Sequence, residues 1–270
     1  MELKTEKIGI IGLGFVGNAI RASYIDDPLV KLVEIDSNPE KQCNGTYEDL
    51  IDASAVFICV PSPQNEDLSC NTLPLVSTLS KLKQFKGVII SKVTAPPSTY
   101  EYLQTQYPNL VHAPEFLTAA NAISDYLDSK FAIIGGDVSA YLNEAHRIIK
   151  LGLPNLEISH FCTIGEASLA KYTINCFLAT KVIFMNEMAK LAETGGQNWG
   201  RIRHLISLDK RIGNSHTQVP GPDTFYGFGG ACFPKDTSAL LKYAETLNVS
   251  MNILDTAIKK NVILRLTSSK

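Results

Sequence analysis

The chain has 270 residues, of which 45% are hydrophobic and 19% charged, and a formal net charge of −2. That length and apolar content suit one large domain plus a smaller one with sizeable cores, and they exclude general disorder. Without a basic surplus to neutralise phosphates, nucleic acid is excluded as a main partner.

In chain order, Lys7–Ile11, Val30–Ile35, Ala55–Val60, Gly87–Ser91, Leu110–His112 and Phe131–Gly135 read as strands. Several are continuous apolar runs, the pattern of parallel strands covered on both faces. Helix-length segments at Phe15–Tyr24, Thr72–Gln84, Pro97–Gln104 and Val138–Leu151 lie between them. This alternation predicts α/β architecture, a Rossmann-like doubly wound sheet. The second half differs. From Glu166 to Glu193 there is neither Gly nor Pro. Thr163 and Glu166 fit a capping box ahead of it, and Gly195-Gly196 supplies a stop. One long central helix is predicted there, with further helices at Asp236–Leu247 and Ser250–Leu266 and a Gly- and Pro-rich loop from Arg211 to Pro234. The expected division is a cofactor-binding domain over 1–162 and an all-helical domain over 163–270.

No window is long and apolar enough for a transmembrane helix, so no membrane partner is expected. The segment MELKTEKIGI has no apolar signal region, and the expected location is cytoplasmic. The six cysteines, Cys43, Cys59, Cys70, Cys162, Cys176 and Cys232, form no C-x-x-C pair. They read by default as small buried hydrophobes, and no metal site is expected.

Two stretches carry chemistry. Gly12-Leu13-Gly14-Phe15-Val16-Gly17 is a G-x-G-x-x-G between a strand and a helix. Its glycines serve a tight turn, close approach of a pyrophosphate, and helix–strand packing. Asp36 follows Gly12 by 24 residues, at the end of the second strand, where a carboxylate binds ribose hydroxyls. An Asp there favours NAD over NADP; the alternative is an ordinary glycine turn with a surface Asp. The second stretch is Gly227-Phe228-Gly229-Gly230-Ala231-Cys232-Phe233-Pro234-Lys235-Asp236. Its glycines allow close approach to a ligand. A helix amino terminus and a nearby Lys favour a thiolate at Cys232. Asp236 has two compatible readings, a helix cap and an active-site carboxylate. On the long helix, Lys171 and Asn175 share a face, read either as a solvated stripe or as ligand-facing groups.

These residues, with Ala113-Pro114-Glu115-Phe116-Leu117, Ala170-Lys171-Tyr172-Thr173-Ile174-Asn175, Phe184-Met185-Asn186-Glu187, Cys59-Val60-Pro61-Ser62-Pro63 and Lys92-Val93-Thr94-Ala95-Pro96-Pro97, resemble the UDP-glucose/GDP-mannose dehydrogenase family. The resemblance runs from about Lys7 to Asn261. It implies an NAD-dependent oxidation of the C6 alcohol of a nucleotide sugar, most simply UDP-glucose to UDP-glucuronate. Two hydride transfers pass through a cysteine thiohemiacetal and thioester.

By motif match, Cys232 is the nucleophile. Lys171 and Asn175 stabilise developing oxyanions. Asp236 orients the lysine or a water, and Glu115 does acid/base work through a water held by Thr94. For the last two the motif-free readings are a helix-start carboxylate and a residue ahead of a turn. Gly12, Gly14, Phe15, Val16, Gly17, Asp36, Val60, Pro61 and Thr94 are the implied cofactor contacts. Glu115, Phe116, Leu117, Lys171, Asn175, Arg211, Phe228 and Gly229 are the implied substrate contacts, Arg211 reaching substrate from a neighbouring subunit. A homodimer through the helical domain is expected.

The chain departs from the family pattern at Thr118-Ala119-Ala120, where a second acidic residue is usual, and at Phe131, where an arginine is usual. The loop from Arg211 to Cys232 is longer, and a further carboxy-terminal α/β domain of the family is expected to be lacking. Two alternatives are a two-electron β-hydroxyacid-type dehydrogenase, which needs no nucleophilic cysteine, and a non-catalytic NAD- or sugar-nucleotide-binding relative.

Overall fold

The computed structural model describes residues 5–41 and 43–268. The chain packs as two units. One comprises Met1–Pro63 with Asn71–Lys171, the other Gln64–Cys70 with Tyr172–Lys270.

The first unit is built on a seven-stranded sheet in the order β2-β1-β3-β4-β5-β6-β7. Its strands are β1 (Glu6–Ile11), β2 (Val30–Ile35), β3 (Ala55–Ile58), β4 (Val88–Ser91), β5 (Leu110–His112), β6 (Phe131–Gly135) and β7 (Ile158–Cys162). All neighbours pair parallel except β5 and β6, which meet antiparallel at His112 and Gly135. Its helices are α1 (Phe15–Tyr24), α2 (Leu73–Lys81), α3 (Pro97–Gln106), α4 (Ala122–Leu127) and α5 (Ser139–Gly152). Successive strand residues enter opposite cores, as a strand's two-residue period requires. Ala55 and Phe57 of β3, with Val88 and Ile90 of β4, pack with Ile20 of α1 and Ile148 of α5. Val56, Ile58 and Ile89 pack with Leu75 and Leu79 of α2 and Tyr100 of α3. The double covering explains why these strands read as unbroken apolar runs.

The second unit contains most of α6 (Ile164–Thr194), then α7 (Trp199–Ser207), α8 (Phe233–Thr246) and α9 (Asn252–Ser268). The capping box forms as its sequence requires. Glu166 N–H donates to Thr163 Oγ1 at 3.2 Å, and Thr163 N–H donates to Glu166 Oε2 at 2.8 Å. Tyr172 and Cys176 share a core with Leu240 and Leu254. Ala179 and Ile183 share another with Phe228 and Ala257.

The division between units falls inside α6, beyond residue 162, because the first two turns of α6 belong to the sheet unit. Ile164 is buried there, and Ser168 Oγ donates to the Ala95 carbonyl at 2.6 Å. The structure also adds β7, α4 and α7 to the expected elements. Among the described residues no helix is long and apolar enough to cross a membrane.

Candidate active site

Because β1, β2, β3, β4 and β5 run parallel, the residues following each emerge at the same carboxyl edge of the sheet, the usual ligand edge of such folds. There the chain turns sharply at Gly12, whose φ is +95°; a Cβ on it would lie 2.7 Å from the Cys59 carbonyl oxygen. A Cβ on Gly17 would lie 1.8 Å from the Gly12 oxygen, whereas one on Gly14 would meet nothing within 4 Å. Gly14 is the N-cap of α1 and no side chain caps that end. Phe15 is exposed, and Val16 packs against the sheet core. Asp36 holds the loop: its Oδ2 accepts from Leu13 N–H at 2.6 Å and its Oδ1 from Asn38 N–H at 2.8 Å. An open glycine at an uncapped helix start, with a carboxylate on the adjacent strand end, fits the pyrophosphate and ribose of NAD. Val60, Pro61 and Thr94 follow β3 and β4 on the same edge.

Beyond β5 stands a charged group centred on Glu115. Its Oε2 accepts from Lys92 Nζ at 3.2 Å, and its Oε1 accepts from Phe116 N–H at 3.0 Å. The Lys92 and Glu115 side chains are only 4% and 10% exposed. Lys171 Nζ donates to the Glu115 main-chain oxygen and stands 5.0 Å above the Phe116 ring. The Phe116 and Phe131 rings lie 5.2 Å apart, so Phe131 packs where the family pattern has an arginine. Leu117 is partly buried against the sheet core. Two neighbouring groups are uncharged, His112 buried and Cys59 partly buried. Burial pushes the Cys59 thiol up to about 12, with Lys92 opposing, and pushes His112 down to about 3. His112 Nδ1 bonds the Ser91 carbonyl at 3.0 Å, and its ring stacks on Tyr100 at 4.2 Å.

In the second unit, Cys232 is exposed and is the N-cap of α8, which begins earlier than the expected Asp236. Asp236 therefore sits in the first turn and not at the cap. It is 1% exposed. Its Oδ2 accepts from Asn175 Nδ2 at 2.6 Å, and its Oδ1 pairs with Lys235 Nζ. The Cys176 thiol points at the Asp236 carbonyl at 3.6 Å and is pushed by burial up to about 12. Cys232 and Cys176 are thus opposites, one at the surface of a helix start and one sealed in the core. Cys43 is also exposed, unlike the buried default.

The glycine loop ahead of Cys232 is pinned by side chains that motif reasoning assigned no role. Gly227 N–H donates to Asn186 Oδ1 at 3.1 Å. Asn261 takes the Phe228 N–H at 2.7 Å and returns a bond to its carbonyl at 3.0 Å. Arg265 Nε donates to the same carbonyl at 2.9 Å, and a Cβ on Gly229 would strike Arg265 Nη2 at 2.0 Å. The Phe228 ring is buried in the core, so it does not offer a face to a ligand. Arg211 is exposed and chelates Asp209 at 2.7 Å. The signal for Asn261 was its burial on an apolar helix face, visible only once α9 has a partner.

Known proteins match both units. Residues 41–151 match the NAD binding domain of the UDP-glucose/GDP-mannose dehydrogenase family, and residues 165–262 match its central domain. Together these take in well over half the chain. UDP-glucose 6-dehydrogenase of Rickettsia felis is 31% identical over 255 residues, covering 90% of this chain and 54% of that protein. The enzyme of the same name from Rickettsia typhi is 34% identical over 254 residues, covering 90% and 56%. The chain spans about half the length of these curated relatives. The solved structure of a UDP-glucose dehydrogenase from Pyrobaculum islandicum shares the fold, with a TM-score of 0.83 and 23% identity over 97% of this chain and 69% of that one. A 3-hydroxyisobutyrate dehydrogenase from Mycobacterium tuberculosis shares it too, with a TM-score of 0.75 and 17% identity over 98% and 95%. The chain belongs to the UDP-glucose/GDP-mannose dehydrogenase family, and carries its NAD binding domain and its central domain.

Proposed function

We propose that this chain is an NAD-dependent nucleotide-sugar dehydrogenase. It oxidises the C6 alcohol of a UDP-sugar, most simply UDP-glucose to UDP-glucuronate, through a covalent adduct on Cys232. The observation that carries this reading is the exposed cysteine at the start of α8, one turn from a buried Asp236 held by Asn175 and Lys235. A two-electron alcohol oxidation has no use for such a thiol.

Gly12, Gly14, Gly17 and Asp36 hold the cofactor, with Val60, Pro61 and Thr94 on the same strand edge. Bound NAD+ supplies a hydride acceptor for each of the two oxidations. Glu115 takes the hydroxyl proton through a water held by Thr94. Lys171 and Asn175 stabilise the oxygen as negative charge develops on it. The Cys232 thiolate then bonds to the aldehyde carbon, and the carbonyl oxygen takes up a proton to give a thiohemiacetal. After the second oxidation the acyl group stays on Sγ as a thioester. Water oriented by Asp236 adds to that carbonyl, the carbon–sulfur bond breaks, and the thiolate and the acid are released. Phe116, Leu117 and Gly229 line the sugar, and Arg211 extends toward it from a second subunit. A homodimer and a cytoplasmic location go with this reading.

The test is the ratio of NADH formed to nucleotide sugar consumed, read by absorbance. Two per UDP-glucose is expected. A ratio of one with any alcohol substrate refutes the thioester route. Cys232→Ala is expected to abolish acid formation while NAD binding, followed by titration, stays within twofold.

A further inference from the structure

We propose that Lys92 is a positioning residue for Glu115, so that the acid/base carboxylate is set by two separate cations. Lys92 follows β4 and Glu115 follows β5, and parallel pairing brings the two strand ends side by side. The ammonium and carboxylate meet at 3.2 Å with both side chains almost wholly buried. A buried ion pair is a poor device for stability, since desolvation offsets its attraction. It is an effective device for geometry, because each charge has few other places to go.

The Glu115 side chain is held at both oxygens, Oε2 by Lys92 and Oε1 by the Phe116 N–H, while Lys171 grips its main-chain oxygen. Lys92 is itself placed, with Nζ 5.6 Å from the centre of the Tyr126 ring. The remaining titratable neighbours, the buried His112 and Tyr126 and the partly buried Cys59, are uncharged at neutral pH. Lys92 is therefore the cation on the side chain, and Lys171 the cation on the backbone. The division of labour separates them: Lys171 is left to act on the substrate oxygen, and Lys92 fixes the direction in which Glu115 presents its carboxylate.

This inference rests on Glu115 being the acid/base group, and the experiment separates the two. Turnover of UDP-glucose is measured for the wild-type chain, Lys92→Met, Lys92→Arg, Glu115→Gln and the double variant Lys92→Met/Glu115→Gln. Misplacing a catalytic group by an ångström costs on the order of 100-fold. Lys92→Met is accordingly expected to lower kcat about 100-fold with KM within threefold, and Lys92→Arg to recover most of it. In the Glu115→Gln background the further change at Lys92 is expected to cost nothing, because its partner's function is already gone. A stability role alone would not yield that non-additivity in kcat. The double variant removes both charges together, so it is expected to fold even where the single Lys92→Met chain, with an unpaired buried carboxylate, does not. In that case Lys92→Arg and the pair of Glu115→Gln chains carry the decision. Wild-type kcat in Lys92→Met, or equal further losses in both backgrounds, overturns the positioning role. Wild-type turnover in Glu115→Gln overturns the role given to Glu115, and a wild-type chain that never turns over sinks both.

Discussion

At the scale of the residue, the two ends of the glycine loop answer to different physics. Gly12 has a φ of +95°, and an added Cβ would sit 2.7 Å from a backbone oxygen. Gly12→Ala is therefore expected to destabilise the fold by about 1–3 kcal/mol, as forced left-handed backbone does, besides weakening NAD binding. Gly14 has open space around it. Gly14→Ala should leave thermal stability within about 0.5 kcal/mol while raising the Kd for NAD at least about tenfold, because the methyl group stands where the pyrophosphate approaches. Calorimetry with and without NAD separates the two outcomes. Equal effects of both substitutions on stability would deny Gly14 its ligand-facing place. Asp236 shows the opposite arrangement, a buried carboxylate that depends on its neighbours. Removing the Asn175 amide leaves one oxygen short of a donor, at a cost of about 1–3 kcal/mol. Asn175→Ala should therefore lower both kcat and the urea midpoint, whereas Cys232→Ala, at an exposed position, should lower only acid formation.

At the scale of the element, β5 carries a pH dependence. Burial holds His112 down at about 3 in the folded chain. The unfolded chain binds the proton near pH 6.5, so folding stability from this group is full above that value and is lost as pH falls toward 3. The contribution lost between pH 8 and pH 5 is about 2 kcal/mol by the same linkage. It is expected as the difference between wild type and His112→Gln in urea unfolding at the two values, and parallel pH profiles would count against it. Much of this element level was legible beforehand. β3, β4 and β5 and helices α1 and α3 were readable because a doubly covered sheet writes continuous apolar runs, and because Pro97 and the glycines mark starts and stops. β7 was not, since Ile158 and Phe161 face outward on an edge strand whose pattern is neither alternating nor wholly apolar. α7 was not, because Gly200 interrupts its first turn and its cap, the Asn198 side chain on Arg201 N–H at 2.9 Å, is visible only in three dimensions. The site divides in the same way. Cys232, Lys171 and Glu115 stand in compact motifs. Lys92 and Asn186 stand in motifs too, but what they do, like the roles of Asn261 and Arg265, depends on partners far away in sequence that no spacing rule discloses.

At the scale of the whole molecule, the long helix poses a question its own unit does not answer. Phe177, Phe184 and Leu191 recur every seventh residue on α6 and are 67%, 57% and 64% exposed. Seven-residue spacing keeps three large apolar groups on one stripe, the seam by which helices pair. Burying them gains roughly 1.5–3 kcal/mol apiece, comparable to what a modest interface needs after its ordering costs. A second copy of this helix, meeting its own stripe across a twofold axis, is the simplest cover for such a self-complementary surface. That arrangement is the homodimer proposed above, and it leads to a sharp expectation. Sedimentation equilibrium at micromolar concentration should give twice the chain mass. Phe184→Glu should give the monomer mass, with the far-ultraviolet circular dichroism unchanged, because the substituted side chain lies outside the unit's own core. A wild-type chain that sediments as a monomer would refute the homodimer and, with it, the proposed reach of Arg211 into a neighbouring site. A Phe184→Glu chain that stays dimeric would place the subunit contact on another face.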